Sequence, residues 1–374
     1  MIILSLETSC DETACAILEE KNSAFSVLAN IVSSQIALHA TWGGVVPNLA
    51  AREHLKNIMP VIDEALKKAH LTSKDIDLIA VTNGPGLIPA LLIGVETAKT
   101  LSYLWKKPLV GIHHIEGHIY ANFIENKIGA ISNFQPASPA GGFPISKQVK
   151  SQKLKAKSYF PILCLVVSGG HTQLVLMKKH LDYEIIGETQ DDAVGEAFDK
   201  VARILGLGYP GGPAIAKVAL KARSPKLKAS LPRPMIKSDN FNFSFSGLKT
   251  AVLYSVKKNP DYKLQIANYC YEFQQAVCDV LISKTMRAAK KYNPKTIMLA
   301  GGVSANAELR KQLGEAIEID LPNTTYCIPE TKYSIDNAAM IAIAASFRYK
   351  LKKDTRKLKN NWKNLETNAN LKLN

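Results

Sequence analysis

Disulfide spacing, long apolar runs and acidic charge are what this 374-residue sequence has least of. Its six cysteines, at 10, 15, 164, 270, 278 and 327, show no CxxC spacing and lie mostly within apolar segments. They read as reduced thiols, which excludes a disulfide framework or a zinc knuckle. A membrane-spanning helix needs ~18 or more apolar residues in a row. The nearest candidate, Leu78 to Val95, is broken by Asn83-Gly84-Pro85-Gly86 and Pro89. The apolar opening segment meets Glu7 and Asp11 with neither a basic leader nor a small-residue cleavage site, which predicts no signal peptide and a cytoplasmic, membrane-free protein.

Acid is scarce but unevenly so. The formal charge of +15 is concentrated in two stretches. Residues 127–158 hold six lysines and no acid, and residues 347–374 hold nine basic residues against Asp354 and Glu366. The remaining body is nearly balanced. Such segments are consistent with contacts to phosphates, and equally with a solubilising tail and an inserted loop.

At 47% apolar content the chain has material for two or three domains of ~150 residues each. Its organisation contains an echo. Residues 2–18 (IILSLETSCDETACAIL) read as strand, small polar turn, strand, and residues 161–177 (PILCLVVSGGHTQLVLM) read the same way. Turns of this composition present backbone N–H groups to phosphates. A third element, TIMLAGGVSANAELRKQL at 296–313, reads as strand, glycine turn and helix, with Ser304 and Asn306 available for capping. Residues 193–205 and 268–290 carry helical patterns. Together these predict two α/β lobes with a cleft between them. Residues 128–158 break the order, being longer than the ~12–15 residues usual for an unstructured connection, and are expected to form a surface insertion or lid. The end of the chain is expected to continue a helix to about Leu358 and then become a loose Asn/Lys-rich tail.

Residues 111–118, GIHHIEGH, place His114 and His118 four apart, so that on a helix both imidazoles share one face and can close on one metal. Pro108 and Leu109-Val110 upstream predict a strand feeding that helix. Imidazole suits iron, zinc, copper or nickel, and the pair alone does not choose among them. It also has a plain alternative, one buried and one surface histidine. Glu116 lies about 200° around a helix of ~3.6 residues per turn from His114, which makes it a poor water-activating base of the HExxH type.

Six further segments carry chemistry: ETSCDET (7–13), NGPGL (83–87), VVSGGHTQL (166–174), DDAVGEAFDKVARILGLGYPGGP (191–213), FSFSGLKT (243–250) and AGGVSAN (300–306). With GIHHIEGH and YSIDNAAMIA (333–342) in the same order, the chain closely resembles the bacterial type of the TsaD/Gcp family, the tRNA adenosine N6-threonylcarbamoyltransferases. The resemblance spans about residues 1–125 and 159–345. It implies the two-lobed α/β fold of actin, sugar kinases and Hsc70-type ATPases. Residues 1–125 are then a first lobe with the metal helix, 126–160 a basic inserted loop, and 161–336 a second lobe with the nucleotide loops. Residues 337–350 become a helix returning to the first lobe, and 351–374 a basic flexible tail. The link at 128–158 is much longer than bacterial relatives use.

By this resemblance His114, His118 and Asp336 are ligands of one divalent metal per subunit, iron with zinc as the alternative. Asp336 otherwise reads as the N-cap of a helix starting at Asn337. Val166, Val167, Ser168, Gly169 and Gly170 resemble the loop that binds the acyl-phosphate part of an adenylate. Asp199 and Gly212 resemble ribose contacts, and Asn306 an adenine-side contact. Asp199 has a plain reading on a solvated helix face. Asp11 and Glu12 are the catalytic candidates, orienting the attacking amine or the threonyl group, with turn-stabilising carboxylates as the alternative. His113 and His171 are secondary polar candidates without an assigned role. The implied reaction moves the threonylcarbamoyl group of threonylcarbamoyl-AMP to N6 of adenosine 37 in tRNAs that read codons beginning with adenine, releasing AMP. Implied partners are tRNA, an inactive paralogue as heterodimer partner and a small P-loop ATPase. A metalloprotease would share the histidines but not the glycine loops. A sugar or acetate kinase would share the fold but not need HxxxH. A scaffold paralogue should have lost both.

Overall fold

The computed structural model describes residues 1–22, 24–124, 159–222, 231–351, 358 and 360–373. The expected insertion at 128–158 lies outside them.

The first lobe is built from β1 (Ile2–Glu7), β2 (Glu12–Lys21), β3 (Ala24–Ser34), α1 (Ile36–Ala40), α2 (Pro47–Ala69), β4 (Leu78–Gly84), α3 (Ile88–Trp105), β5 (Leu109–His113) and α4 (His114–Tyr120). The second comprises β6 (Ile162–Val167), β7 (Thr172–Lys179), β8 (Asp182–Glu188), α5 (Val194–Ile204), α6 (Gly211–Ala219), α7 (Ser246–Lys258), α8 (Ile266–Tyr292), β9 (Thr296–Ala300), α9 (Ala307–Asp320) and β10 (Thr325–Cys327). The short α10 (Thr331–Ser334) and the long α11 (Ala338–Leu351) follow.

The two sheets repeat one topology. The first runs β3-β2-β1-β4-β5 and the second β8-β7-β6-β9-β10. In each, the opening three strands pair antiparallel, as tight turns permit, and the last two add in parallel through helical crossovers. The strand–turn–strand echo at 2–18 and 161–177 is the β1–β2 hairpin repeated as β6–β7.

Strands β1, β4 and β6 are buried on both faces and mostly apolar, as strands covered on both sides are. One core cluster is confined to the first lobe between its sheet and α2 and α3, and a second to the other lobe around α5 to α9. A third joins them. It gathers Ile3, Ala14 and Ala16 of one sheet and Cys164, Val166 and Val175 of the other around Ile115 and Ile119 of α4 and the whole apolar body of α11. Residues Ala338 to Ser346 of α11 are buried all round, because this helix lies between layers and has no solvent face. The metal-candidate helix α4 is thus fixed in the seam between the lobes.

The C-terminal segment departs from the expectation of a flexible tail. Residues 360–373 are laid along the first lobe. The Asn368 N–H donates to the Asn83 carbonyl at 2.8 Å, the Asn83 side chain donates to the Glu366 carbonyl at 3.1 Å, and the His113 Nε2–H donates to the Leu371 carbonyl at 2.9 Å. Leu365 and Leu373 are buried, and Trp362 packs on Tyr103 with ring centroids 4.8 Å apart. Gly84 is required here, since a Cβ would collide with the Asn368 backbone. The Asn/Lys-rich composition concealed a few well-spaced apolar anchors and a row of backbone groups paired with the lobe. Removing residues 360–374 should therefore lower stability by several kcal/mol, at ~1.5–3 kcal/mol for each fully buried leucine. Chemical denaturation would register this as a lower midpoint. An unchanged midpoint would mean the segment contributes nothing.

Candidate metal centre

β5 delivers His113 to the end of the first sheet, and the chain turns directly into α4. His113 caps that helix, its Nδ1 accepting from the Ile115 N–H at 3.1 Å while its Nε2–H holds the tail. Burial pushes its pKa down to about 3, and the ring stays neutral. It is a structural pin and offers no free nitrogen to a metal. His114 and His118 then project one turn apart from the same face, their ring centroids 4.6 Å from each other.

Asp336 meets them from the segment between α10 and α11. Its Oδ1 lies 3.1 Å from His118 Nε2 and 3.6 Å from His114 Nε2. One ligand atom from each of the three side chains falls within 4.8 Å of the others. The N-cap alternative for Asp336 is not what the structure adopts. Asn337 caps α11, accepting from the Met340 N–H at 3.1 Å, which leaves the Asp336 carboxylate turned to the histidines. Glu116 faces the opposite way, as its position on the helix requires, bound by Arg348 and by Tyr183 at 3.0 Å.

The donor set fits a divalent first-row metal, being two imidazoles and one carboxylate. Both His118 ring nitrogens are fully buried without a hydrogen bond of acceptable geometry, an arrangement that is costly for an imidazole in a protein interior and natural for a ligand. His114 is prepared on its far side. Its Nδ1 lies 3.0 Å from Glu7 Oε2 and 3.1 Å from Ser9 Oγ. Glu7 is itself buried, accepting from the Ser9 N–H at 2.5 Å and the Thr82 hydroxyl at 2.6 Å. A carboxylate there demands that Nδ1 carry a proton, which makes Nε2, on the Asp336 side, the nitrogen available to a metal once its own proton is displaced. Burial disfavours the His114 imidazolium, yet the carboxylates of Asp336 and Glu7 outweigh that and raise its pKa to about 9. The motif ETSCDET contains Glu7 but gives no sign of this role, because nothing in the spacing pairs it with a histidine more than a hundred positions away.

The glycine loops converge on the second lobe. Val166 and Val167 belong to β6 with their side chains in the core, so only their backbone can face a ligand. Ser168 closes the turn, its N–H donating to the His171 carbonyl at 2.8 Å and its hydroxyl accepting from the His171 N–H at 3.1 Å. Gly169 and Gly170 are exposed, with open space where a side chain would stand. Gly301, at φ +89°, abuts the Val167 carbonyl with no room for a Cβ, so the 301–302 turn rests against the 168–170 turn. His171 is pushed down to about 4, first by burial and then by the neighbouring histidines.

Of the three residues matched to nucleotide contacts, two have protein partners. The Asp199 carboxylate accepts the Gly211 N–H at 2.6 Å, tying α5 to α6, and is not on a solvated face; burial raises its pKa. Gly212 adjoins that contact and fronts open space. Asn306 caps α9 through the Leu309 N–H at 3.0 Å, and its amide donates to Gln274 at 2.9 Å. Arg310 then binds the Ser304 carbonyl and the Ser334 hydroxyl, joining the glycine turn to the element that carries Asp336. Asp11 and Glu12 open the β1–β2 turn on the cleft. Tyr209 of the second lobe reaches Asp11 Oδ2 at 3.5 Å. Burial, then the charges of Asp336 and Asp11, holds the Glu12 carboxyl well above its usual range.

Two sheets of identical topology, glycine turns in the second lobe and a two-histidine, one-carboxylate group at the seam define a two-lobed α/β fold with a candidate metal site. HypF from T. kodakarensis shares this fold, with a TM-score of 0.61 at 12% identity over 96% of this chain and 49% of that one. A full-length HypF structure gives 0.55 over 94% of this chain and 47% of that one, so the chain spans about half of either. The sequence matches the family model described as TsaD, tRNA N6-adenosine threonylcarbamoyltransferase, over residues 26–133 and 147–343, and the chain belongs to that family. Proteins of that name from Persephonella marina and Thermosipho africanus are each 47% identical to it, over 94% of this chain and 91% and 95% of theirs. One from Listeria welshimeri is 45% identical over 93% of this chain and 91% of its own.

Glu7→Gln tests the prepared histidine. The amide would offer a donor to Nδ1, favour the Nε2–H tautomer and block the ligating nitrogen. Metal affinity should fall by ~10–100-fold with the fold retained. Because the metal displaces a proton from His114, wild-type affinity should rise with pH between 6 and 8. Competition titration with a chromogenic chelator reads both, and equal affinity in the variant would remove Glu7 from the centre.

Proposed function

We propose that this protein forms N6-threonylcarbamoyladenosine in tRNA, by transferring the threonylcarbamoyl group of threonylcarbamoyl-AMP to N6 of adenosine 37 in tRNAs reading codons that begin with adenine. The observation that carries this reading is the His114–His118–Asp336 group, whose charges reach His171 at the end of the 168–170 glycine turn. The three residues hold one divalent metal, iron by family resemblance with zinc as the alternative. When bound, it supplies Lewis-acid charge stabilisation at the carbonyl and orientation of the threonyl part.

In the reaction the N6 amine attacks the carbamoyl carbon, the bond from that carbon to the phosphate oxygen breaks, and AMP leaves. An exocyclic amine is a weak nucleophile, so positioning and charge stabilisation supply most of the rate. The backbone N–H groups of Gly169 and Gly170, at the end of the 166–170 segment, receive the phosphate. Gly169 and Gly170, with open space before them, allow that close approach. Asp199 and Gly212 face the ribose, and Asn306 the adenine side. For Asn306 the contact is through the loop it caps, since both ends of its side chain have protein partners. Glu12, its proton affinity raised by burial and by neighbouring carboxylates, is suited to accept the proton that N6 loses, with Asp11 orienting the amine.

The substrate base is reachable in a single-stranded anticodon loop. The +15 formal charge favours a polyanion. A heterodimer with an inactive paralogue is supported by α2 and α3, which expose Leu55, Met59, Ile88 and Leu92. A small P-loop ATPase and a cytoplasmic location complete the reading; no helix among the described residues is long and apolar enough to cross a membrane.

Supplied with threonylcarbamoyl-AMP, cognate tRNA and its partner chains, the protein should yield N6-threonylcarbamoyladenosine and AMP in equal amounts. His118→Ala and Asp336→Ala should lose the metal and slow transfer by at least ~100-fold, the scale of removing one charge-stabilising group. Nucleoside analysis and elemental analysis of the same samples decide this. Bound but unmodified tRNA, together with metal-dependent cleavage of a peptide panel, would replace the transferase by a protease.

A further inference from the structure

The turn that carries Asp11 and Glu12 is held from behind by first-lobe elements, one carbonyl at a time. The Leu87 N–H donates to the Ser9 carbonyl at 2.8 Å, and the Gln35 N–H to the Asp11 carbonyl at 3.0 Å. Between them the Cys10 carbonyl receives a side chain. His54 Nε2, from α2, lies 3.0 Å from it, while His54 Nδ1 lies 2.8 Å from the Thr13 hydroxyl. His54 has no exposed surface.

A carbonyl only accepts, so Nε2 must carry a proton. The neutral ring then has a single satisfied arrangement, with Nε2–H donating to Cys10 and the Thr13 hydroxyl donating to Nδ1. Burial pushes the His54 pKa down, which keeps the ring in that neutral form. One rigid side chain therefore bridges both ends of the segment Cys10–Thr13, with Asp11 and Glu12 between its two attachments. Opposite them, Tyr209 and Asp336 mark the cleft side. The arrangement exceeds what a buried histidine needs for satisfaction, because both bonds fall on the same four-residue turn.

We propose that His54 is a positioning residue of the transfer reaction, fixing the Cys10–Thr13 turn so that Asp11 and Glu12 face the cleft. It touches no substrate and no metal ligand and acts through the turn alone. The inference rests on the reading of Asp11 and Glu12 as catalytic.

The test uses the full-length protein with its partner chains, threonylcarbamoyl-AMP and tRNA. His54→Leu removes both bonds. His54→Gln places an amide donor near the position of Nε2 and restores the bond to Cys10, whereas His54→Asn reaches only toward Thr13. His54→Leu should lower kcat by ~10–100-fold, the scale of a small misplacement of reacting groups. KM for threonylcarbamoyl-AMP and metal content should be unchanged. His54→Gln should recover most of the loss and His54→Asn little of it. Combined with Glu12→Gln, His54→Leu should add almost nothing, since both act on one turn.

Asp11→Asn and Glu12→Gln run in parallel separate the two levels. If both keep full kcat, the turn is not catalytic and the inference falls with that reading. If they lose activity while His54→Leu does not, or if His54→Leu and Glu12→Gln are additive, the positioning role is overturned and the catalytic reading stands. Should His54→Leu fail to fold, the order of His54→Gln above His54→Asn in kcat decides, and equal rates overturn the proposal.

Discussion

The carboxylate of Asp336 set against His114 and His118 is the contact on which the rest of the arrangement depends. Three groups with high affinity for protons or metals are held in a seam from which water is largely excluded. Side chains left there without partners would be costly. The structure around them supplies rigid support on every side. α4 is fixed by the shared core between the sheets, α11 is buried along its length, and the Asn337 cap keeps Asp336 from turning away. Arg310 carries the support to the glycine turn of the second lobe, so the candidate metal centre and that turn are braced by one network.

The same seam puts the candidate site at the junction of two like halves. Each sheet ends its first hairpin in a small polar turn. In the first lobe that turn carries carboxylates, and in the second it offers bare backbone N–H groups. Duplication gives two turns facing one cleft, one lined with acid and the other suited to phosphate. Neither chemistry follows from the fold, which HypF shares at 12% identity. The distinction comes from the residues on the turns and from the histidine pair.

Much of this was legible in the sequence. The hairpin echo, the strand running into the histidine helix and the glycine turn before α9 are local patterns, and local patterns leave a periodic trace. What escaped notice depends on contacts between distant positions. Glu7 supports a histidine at the start of a distant helix, and His54 reaches a turn more than forty residues upstream. The parallel strand pairings carry no signal in either partner alone. The C-terminal segment misled because its composition is that of a loose tail, while its docking depends on a few apolar side chains and on backbone groups that composition does not reveal. Asn306 was visible both as a cap and as a ligand residue, and only the geometry shows its side chain engaged at both ends within the protein.

The central claim is that His114, His118 and Asp336 form one metal centre in front of the nucleotide loops. Diffraction from crystals of the metal-loaded protein with a non-reactive threonylcarbamoyl-AMP analogue, collected at the absorption edge of the metal, tests it most directly. The account predicts one anomalous peak at ~2.0–2.2 Å from a nitrogen of each histidine and an oxygen of Asp336, with the phosphate of the analogue against residues 168–170. A peak elsewhere, or an analogue bound away from those residues with the histidines engaged only by protein groups, would contradict it.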